Sequence, residues 1–162
     1  MDKRDKEIFL YTDGSSIGNP GPGGYGIIME LKGTTYKKEF SKGYRHTTNN
    51  RMELLAIIVG LESLKKESSK VIVYSDSKYV IDSVNNKWIF DWQKKGFKGK
   101  KNPDLWERFI RVYKKHHIDF KWIKGHNSHP QNERCDFLAN TAAKKKDLIK
   151  DEYYEIISKY NS

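Results

Sequence analysis

The sequence predicts an α/β fold: a mixed five-stranded sheet, an antiparallel meander continued by parallel strands, with helices on both faces. Three observations carry this. Before Arg51 the chain alternates short apolar runs with Gly- and Pro-rich turns and shows no helical period. After Arg51, stretches at helical spacing alternate with compact β-branched runs, the pattern of crossover connections between parallel strands. No repeat or linker interrupts the 162 residues, a length that one core serves.

The elements follow in order. Ile8 to Thr12 is a short apolar run ending at Asp13-Gly14. Gly18 to Gly24, with Asn19-Pro20-Gly21-Pro22-Gly23, reads as a loop. Tyr25 to Met29 and Tyr36 to Tyr44 read as two strands around a turn at Lys32-Gly33. Over residues 51–66, Met52, Leu55, Ala56 and Val59 recur at helical spacing and predict an amphipathic helix. Val71 to Tyr74 is a buried strand leading into Ser75-Asp76, and Ser77 to Asn85 reads as a helix. Lys87 to Lys101 differs in kind, being lysine-rich around Trp88, Trp92 and Phe97. Leu105 to Lys115 returns to helical spacing, and Ile118 to Ile123 is a last strand. A loop through Gly125-His126-Asn127-Ser128-His129 precedes Pro130, which suits the first turn of a helix continuing to Ala143. Asp147 to Ser162 places Tyr153, Ile156, Ile157 and Tyr160 at helical spacing, either a docking helix or a frayed tail.

Composition narrows the setting. Thirty-one Lys and Arg against 21 acidic residues give a net charge of +10, which suits a polyanionic partner as well as plain solubility. The mean hydropathy is -0.84, and no apolar run approaches the roughly 20 residues of a membrane span. The charged start, Met1-Asp2-Lys3-Arg4, does not read as a signal peptide. The single cysteine, Cys135, excludes an intramolecular disulfide and offers no zinc constellation. A cytoplasmic protein with no membrane association, and a monomer, is expected.

The central signal is where four acids sit. Asp13 and Asp76 each end an apolar strand, and ligand sites in open sheets gather at the carboxyl ends of strands. Glu53 shares a helical stripe with Ile57, Gly60 and Leu64, and Asp136 shares one with Ala139 and Ala143. Both stripes belong against the sheet, where an ionised carboxylate costs several kcal/mol unless paired or bound to a cation. Each acid alone also has a structural explanation. Asp13-Gly14 is a turn dipeptide; Asp76 is a possible helix cap; Glu53 follows Asn50 at capping-box spacing; Asp136 gains from a helix N-terminus. Four at one end of one sheet would repel unless hard cations such as Mg²⁺ or Mn²⁺ lay between them. A two-metal site about 4 Å across suits in-line phosphoryl displacement.

Tyr11-Thr12-Asp13-Gly14-Ser15, Gly18 to Gly26, Thr47-Thr48-Asn49-Asn50-Arg51-Met52-Glu53-Leu54, Ser75-Asp76-Ser77 and Gly125-His126 with Asn132-Glu133-Arg134-Cys135-Asp136 together resemble the bacterial-type ribonuclease H1 family, in order and spacing, from about Ile8 to Lys146. The resemblance implies a ribonuclease H-like fold and an Mg²⁺-dependent endonuclease (Mn²⁺ an alternative) that cuts the RNA strand of an RNA–DNA hybrid. It implies 5′-phosphate and 3′-hydroxyl products. Asp13, Glu53, Asp76 and Asp136 would be the metal-binding carboxylates. Asp13 would bridge two ions, Asp136 would hold the one that activates water, and Glu53 and Asp76 the one facing the leaving oxygen. His126 matches a loop histidine that assists catalysis or product release.

The same resemblance assigns the substrate contacts. Ser16, Asn19, Asn49 and Asn50 would lie in the minor groove, where amides meet 2′-hydroxyls and base edges. Thr48 matches a residue that grips a DNA phosphate. Residues 87–101 resemble a basic handle whose Lys94, Lys95 and Lys98 would meet phosphates. Trp88 and Trp92 would line the DNA channel, although their spacing of four equally suits helix packing. Lys78 stands where a bacterial relative is uncharged, which leaves its contact open. The expected organisation is one catalytic domain over residues 1–146, with a C-terminal extension over 147–162 outside the match.

Overall fold

A computed structural model of the chain describes residues 7–65, 70–125 and 129–160. Strands β1 (Glu7–Ser16), β2 (Gly21–Leu31) and β3 (Lys37–Thr47) form the meander. Strands β4 (Lys70–Ser75) and β5 (His117–Trp122) extend it to five strands in the order β3-β2-β1-β4-β5. Pairing is antiparallel among the first three strands and parallel from β1 to β4 and from β4 to β5. Helix α1 (Asn49–Glu62) crosses from β3 to β4, and α2 (Lys78–Asn85), α3 (Trp88–Lys94) and α4 (Pro103–Tyr113) lie between β4 and β5. Helices α5 (Pro130–Ala143) and α6 (Glu152–Tyr160) close the chain.

Successive residues of a strand face opposite sides of its sheet. Leu10, Ile27, Val71 and Val73 accordingly meet Leu54, Ile57, Trp106 and Phe109 of α1 and α4 on one face. Tyr11 and Ile28 meet Cys135 of α5 on the other. With both faces covered, the central strands carry apolar residues without strict alternation.

Three local expectations need correction. The helix over 51–66 is displaced: it runs from Asn49 to Glu62, because Thr48 Oγ1 caps it by accepting from the Arg51 N–H at 3.2 Å. It is also not amphipathic, since every residue from Arg51 to Ile58 is buried between the sheet and α4. The loop expected over Gly18 to Gly24 is half strand, with β2 already paired at Gly21. These glycines serve close packing as much as turning: a Cβ on Gly26 would lie 2.3 Å from the Cys135 carbonyl oxygen, so α5 rests directly on the strand backbone. Finally, Asp13 does not end its strand, because antiparallel pairing with β2 carries β1 on to Ser16.

The C-terminal stretch is a docked helix rather than a frayed tail. Ile149 bridges to Tyr44 at the edge strand β3, and the Arg45 Nε–H donates to Glu155 at 3.0 Å. Asp151 is buried and accepts from Thr47 Oγ1 at 2.8 Å.

Candidate active site

Parallel pairing of β1 with β4 stops at Tyr11 and Tyr74, and beyond it the two strands deliver Asp13 and Asp76 into one crevice. Gly14 brings the third acid in. A Cβ there would lie 2.3 Å from the Met52 carbonyl carbon and 2.4 Å from the Glu53 nitrogen, so only glycine lets β1 press against the first turns of α1. One carboxylate oxygen from each of Asp13, Glu53 and Asp76 then falls within 4.8 Å of the others. Asp136 stands outside this tight trio. It lines the same cleft, about 380 Å³ in volume, and its Oδ1 accepts from Asn140 Nδ2 at 3.1 Å.

The cleft is electrostatically poised. Burial, reinforced by the charge of Asp76, pushes the Asp13 carboxyl up to about 8. Burial and the neighbouring Asp13 and Asp76 hold Glu53 well above the ordinary carboxylate range. Glu53 Oε2 is buried without a hydrogen-bond partner among the described residues. Such a trio cannot be fully ionised without compensating positive charge. An all-oxygen donor set with an unmatched buried oxygen fits a hard divalent cation.

The ordinary explanations of these acids do not fit. Asp13-Gly14 lies within β1. Ser77, not Asp76, caps α2, its Oγ accepting from the Val80 N–H at 3.3 Å. With Thr48 as N-cap, Glu53 lies too far along α1 for a capping box. Asp136 is the seventh residue of α5, beyond the first turn where the helix dipole acts, and lines the cleft.

The residues assigned to substrate divide into groups. Asn49 Oδ1 accepts from the Ser16 N–H at 2.6 Å, and Asn19 Oδ1 accepts from the Asn49 N–H at 3.0 Å, so these three form one braced edge. Asn50 is exposed beside them and lines the cleft. The Lys78 ammonium lies 4.8 Å from the Trp122 ring centroid, and the Trp122 indole donates to the Asp76 carbonyl at 3.1 Å. This contact sets a positive charge at the rim of the cleft. On α3 the tryptophans part company: Trp88 is 46% exposed, whereas Trp92 packs edge-on against Trp106 at 5.9 Å. Lys94, Lys95 and Lys98 are exposed. His126 lies outside the described residues, but its neighbour Gly125 passes against Asp76, where a Cβ would sit 2.7 Å from Oδ2.

Sequence reasoning missed Arg51. This buried guanidinium pairs with Asp104 and Asp151, each at 2.7 Å, and ties α1, α4 and the C-terminal segment together behind Asn50. Burial opposes its charge, but the two carboxylates hold it firmly ionised. The available signal was an arginine beside Met52, at the head of the apolar run Leu54 to Leu61.

Comparison with known proteins agrees with this geometry. The family model described as RNase H matches residues 5–144. A ribonuclease H of Desulforamulus reducens is 52% identical over 151 residues, covering 90% of this chain and 93% of its own. Another from Shewanella sp. is 52% identical over 155 residues, covering 93% and 96%. Among solved structures, LC11-RNase H1 in complex with RNA/DNA hybrid superposes with a TM-score of 0.64 at 27% identity, covering 84% of this chain and 96% of that one. The chain therefore belongs to the ribonuclease H family, the metal-dependent nucleases that hydrolyse RNA paired with DNA.

Proposed function

We propose that this chain cuts the RNA strand of RNA–DNA hybrids endonucleolytically in the carboxylate cleft, with two Mg²⁺ ions, leaving 5′-phosphate and 3′-hydroxyl ends. The observation that carries the assignment is the convergence of Asp13, Glu53 and Asp76 oxygens within 4.8 Å, with one Glu53 oxygen buried and unmatched. These three acids would hold the cations, with Asp136 completing the set from the rim. Bound there, divalent cations supply neutralisation of the scissile phosphate and a water acidic enough to attack it.

The protein's own groups do the rest. Gly14 and the parallel β1–β4 pair fix the spacing of the acids. The braced Ser16–Asn19–Asn49 edge and Asn50 meet the minor groove, where 2′-hydroxyls mark the RNA strand. Thr48 and Trp88 lie toward the DNA strand, and Lys78, Lys94, Lys95 and Lys98 toward phosphates. Trp92, on the same helix as Trp88, packs against Trp106 and holds α3 to α4. His126 would assist catalysis or product release, histidine being the side chain that exchanges a proton near neutral pH. The enzyme acts as a monomer in the cytoplasm; none of its described helices is long and apolar enough to cross a membrane.

The test is cleavage of end-labelled RNA annealed to DNA. Internal cuts with Mg²⁺, none in excess EDTA, and intact duplex DNA are expected. Equal cutting of duplex DNA, or cutting that survives the chelator, would reject the assignment.

A further inference from the structure

Helix α5 lies directly on the sheet because β2 offers it glycines. A Cβ on Gly26 would meet the Cys135 carbonyl oxygen, and one on Gly24 would sit 2.5 Å from that of Ala139. Antiparallel register sets Gly26 opposite Asp13 of β1 and Gly24 opposite Ser15. Two residues of strand and four of helix advance by similar lengths, about 6.6 Å and 6 Å. The seating of α5 on β2 therefore carries Asp136 toward Asp13 and, one turn on, Asn140 toward Ser15. Asp136 is felt at Asp13, where, after burial and Asp76, its charge helps to raise the carboxyl.

We infer that Asn140 is a positioning residue, which holds Asp136, the acid outside the trio, in the orientation a cation needs. The inference rests on the proposed function, in which these acids hold the cations. Ser15 Oγ donates to Asn140 Oδ1 at 3.1 Å. Asn140 Nδ2 in turn donates to Asp136 Oδ1 at 3.1 Å and to the Asp136 carbonyl at 3.0 Å. The amide is thus held at both ends. Turned over, it would set its oxygen against two oxygens of Asp136. Asp13 and Asp76 are placed by paired strands and Glu53 by the contact at Gly14. Asp136 instead sits half-buried on a helix at the rim, where its side chain would otherwise be free to change rotamer. An amide suits this task. It directs an N–H to a carboxylate oxygen that keeps lone pairs for a metal, and it adds no positive charge to compete with the cation. Ser15, two residues beyond Asp13, ties the strand of the trio to the helix of the fourth acid.

The test is a double-mutant cycle read first by Mn²⁺ binding to the metal-free protein, with no nucleic acid present. Asn140→Leu nearly keeps the shape of the side chain and removes its donors. In calorimetry it should weaken Mn²⁺ binding about ten-fold, the low end for partners that orient a metal ligand. Ser15→Ala frees only the far end of the amide and should cause a smaller loss. In an Asp136→Asn background, Asn140→Leu should leave Mn²⁺ affinity as it is, because the residue acts only through that carboxylate. In hybrid cleavage Asn140→Leu should lower kcat at limiting Mg²⁺, recover as Mg²⁺ rises, and leave KM for the hybrid alone. Unchanged Mn²⁺ affinity, an equal loss in the Asp136→Asn background, or a raised KM with intact metal binding would overturn the inference. Thermal unfolding in EDTA reports whether leucine disturbs α5, and Asn140→Ala then carries the same expectations. A wild-type protein that spares the hybrid fails the reading beneath, and that result is seen before any variant is compared.

Discussion

Neutralising Asp13 should stabilise the metal-free protein while destroying its activity. The carboxyl is held at about 8 against an ordinary value of 3.8, mainly by burial and then by Asp76. A folded-state value above the unfolded one means that the folded form takes up the proton more readily. Stability from this group is therefore fully present below about pH 4 and drains away as the pH rises toward 8. One pKa unit corresponds to about 1.4 kcal/mol, so a displacement of about four sets a ceiling near 6 kcal/mol. Relaxation and water entry reduce the effective penalty of a buried ion, so about 1–3 kcal/mol is expected from Asp13→Asn at pH 8. For a chain of this length that is a Tm increase of roughly 3–10 °C. The asparagine Oδ1 still accepts the Gly14 N–H that Asp13 Oδ1 accepts at 2.9 Å, so the strand geometry survives. The assay is thermal unfolding in EDTA at pH 4 and pH 8, beside hybrid cleavage in Mg²⁺. A gain at pH 8 that vanishes at pH 4, with lost cleavage, is expected. A variant that is less stable at pH 8, or equally altered at both pH values, would refute the reasoning.

Two further perturbations probe other parts of the account. Arg51→Met leaves Asp104 and Asp151 facing each other without their cation, and urea unfolding should register a loss of about 3–5 kcal/mol; a loss below about 1 kcal/mol, the scale of an exposed pair, would contradict a buried anchoring role. Replacing Lys94, Lys95 and Lys98 by alanine should weaken hybrid binding and flatten its dependence on log salt by up to about one unit per lost phosphate contact. An unchanged slope in fluorescence anisotropy would remove these lysines from the interface.

Much of this architecture was legible in the chain, and the exceptions have physical causes. The strand and helix order, and the helix from Pro130 to Ala143, follow from apolar period and a proline at the first turn. Asp13 and Asp76 were legible as acids at the ends of apolar strands, and Glu53 and Asp136 as acids on helical stripes due against the sheet. The tight trio with Asp136 at the rim was not, because it depends on how closely β1 approaches α1, which Gly14 decides through a contact between residues distant in sequence. The burial of α1 on nearly every side was hidden too: period alone reports one apolar face, and α4 covers the other. The same holds for α6, whose short helical pattern gains its place through contacts distant in sequence: Asp151, just before it, meets Arg51 and Thr47, and its Glu155 meets Arg45. The two tryptophans of the handle shared one spacing but received different environments, since only Trp92 finds Trp106.

The claim on which the rest depends is that these carboxylates hold divalent cations. Anomalous diffraction from crystals soaked in Mn²⁺ addresses it directly. The account predicts density between Asp13, Glu53 and Asp76, absent from crystals of Asp13→Asn treated alike. Manganese bound only elsewhere on the protein, or retained unchanged in the variant, would contradict it.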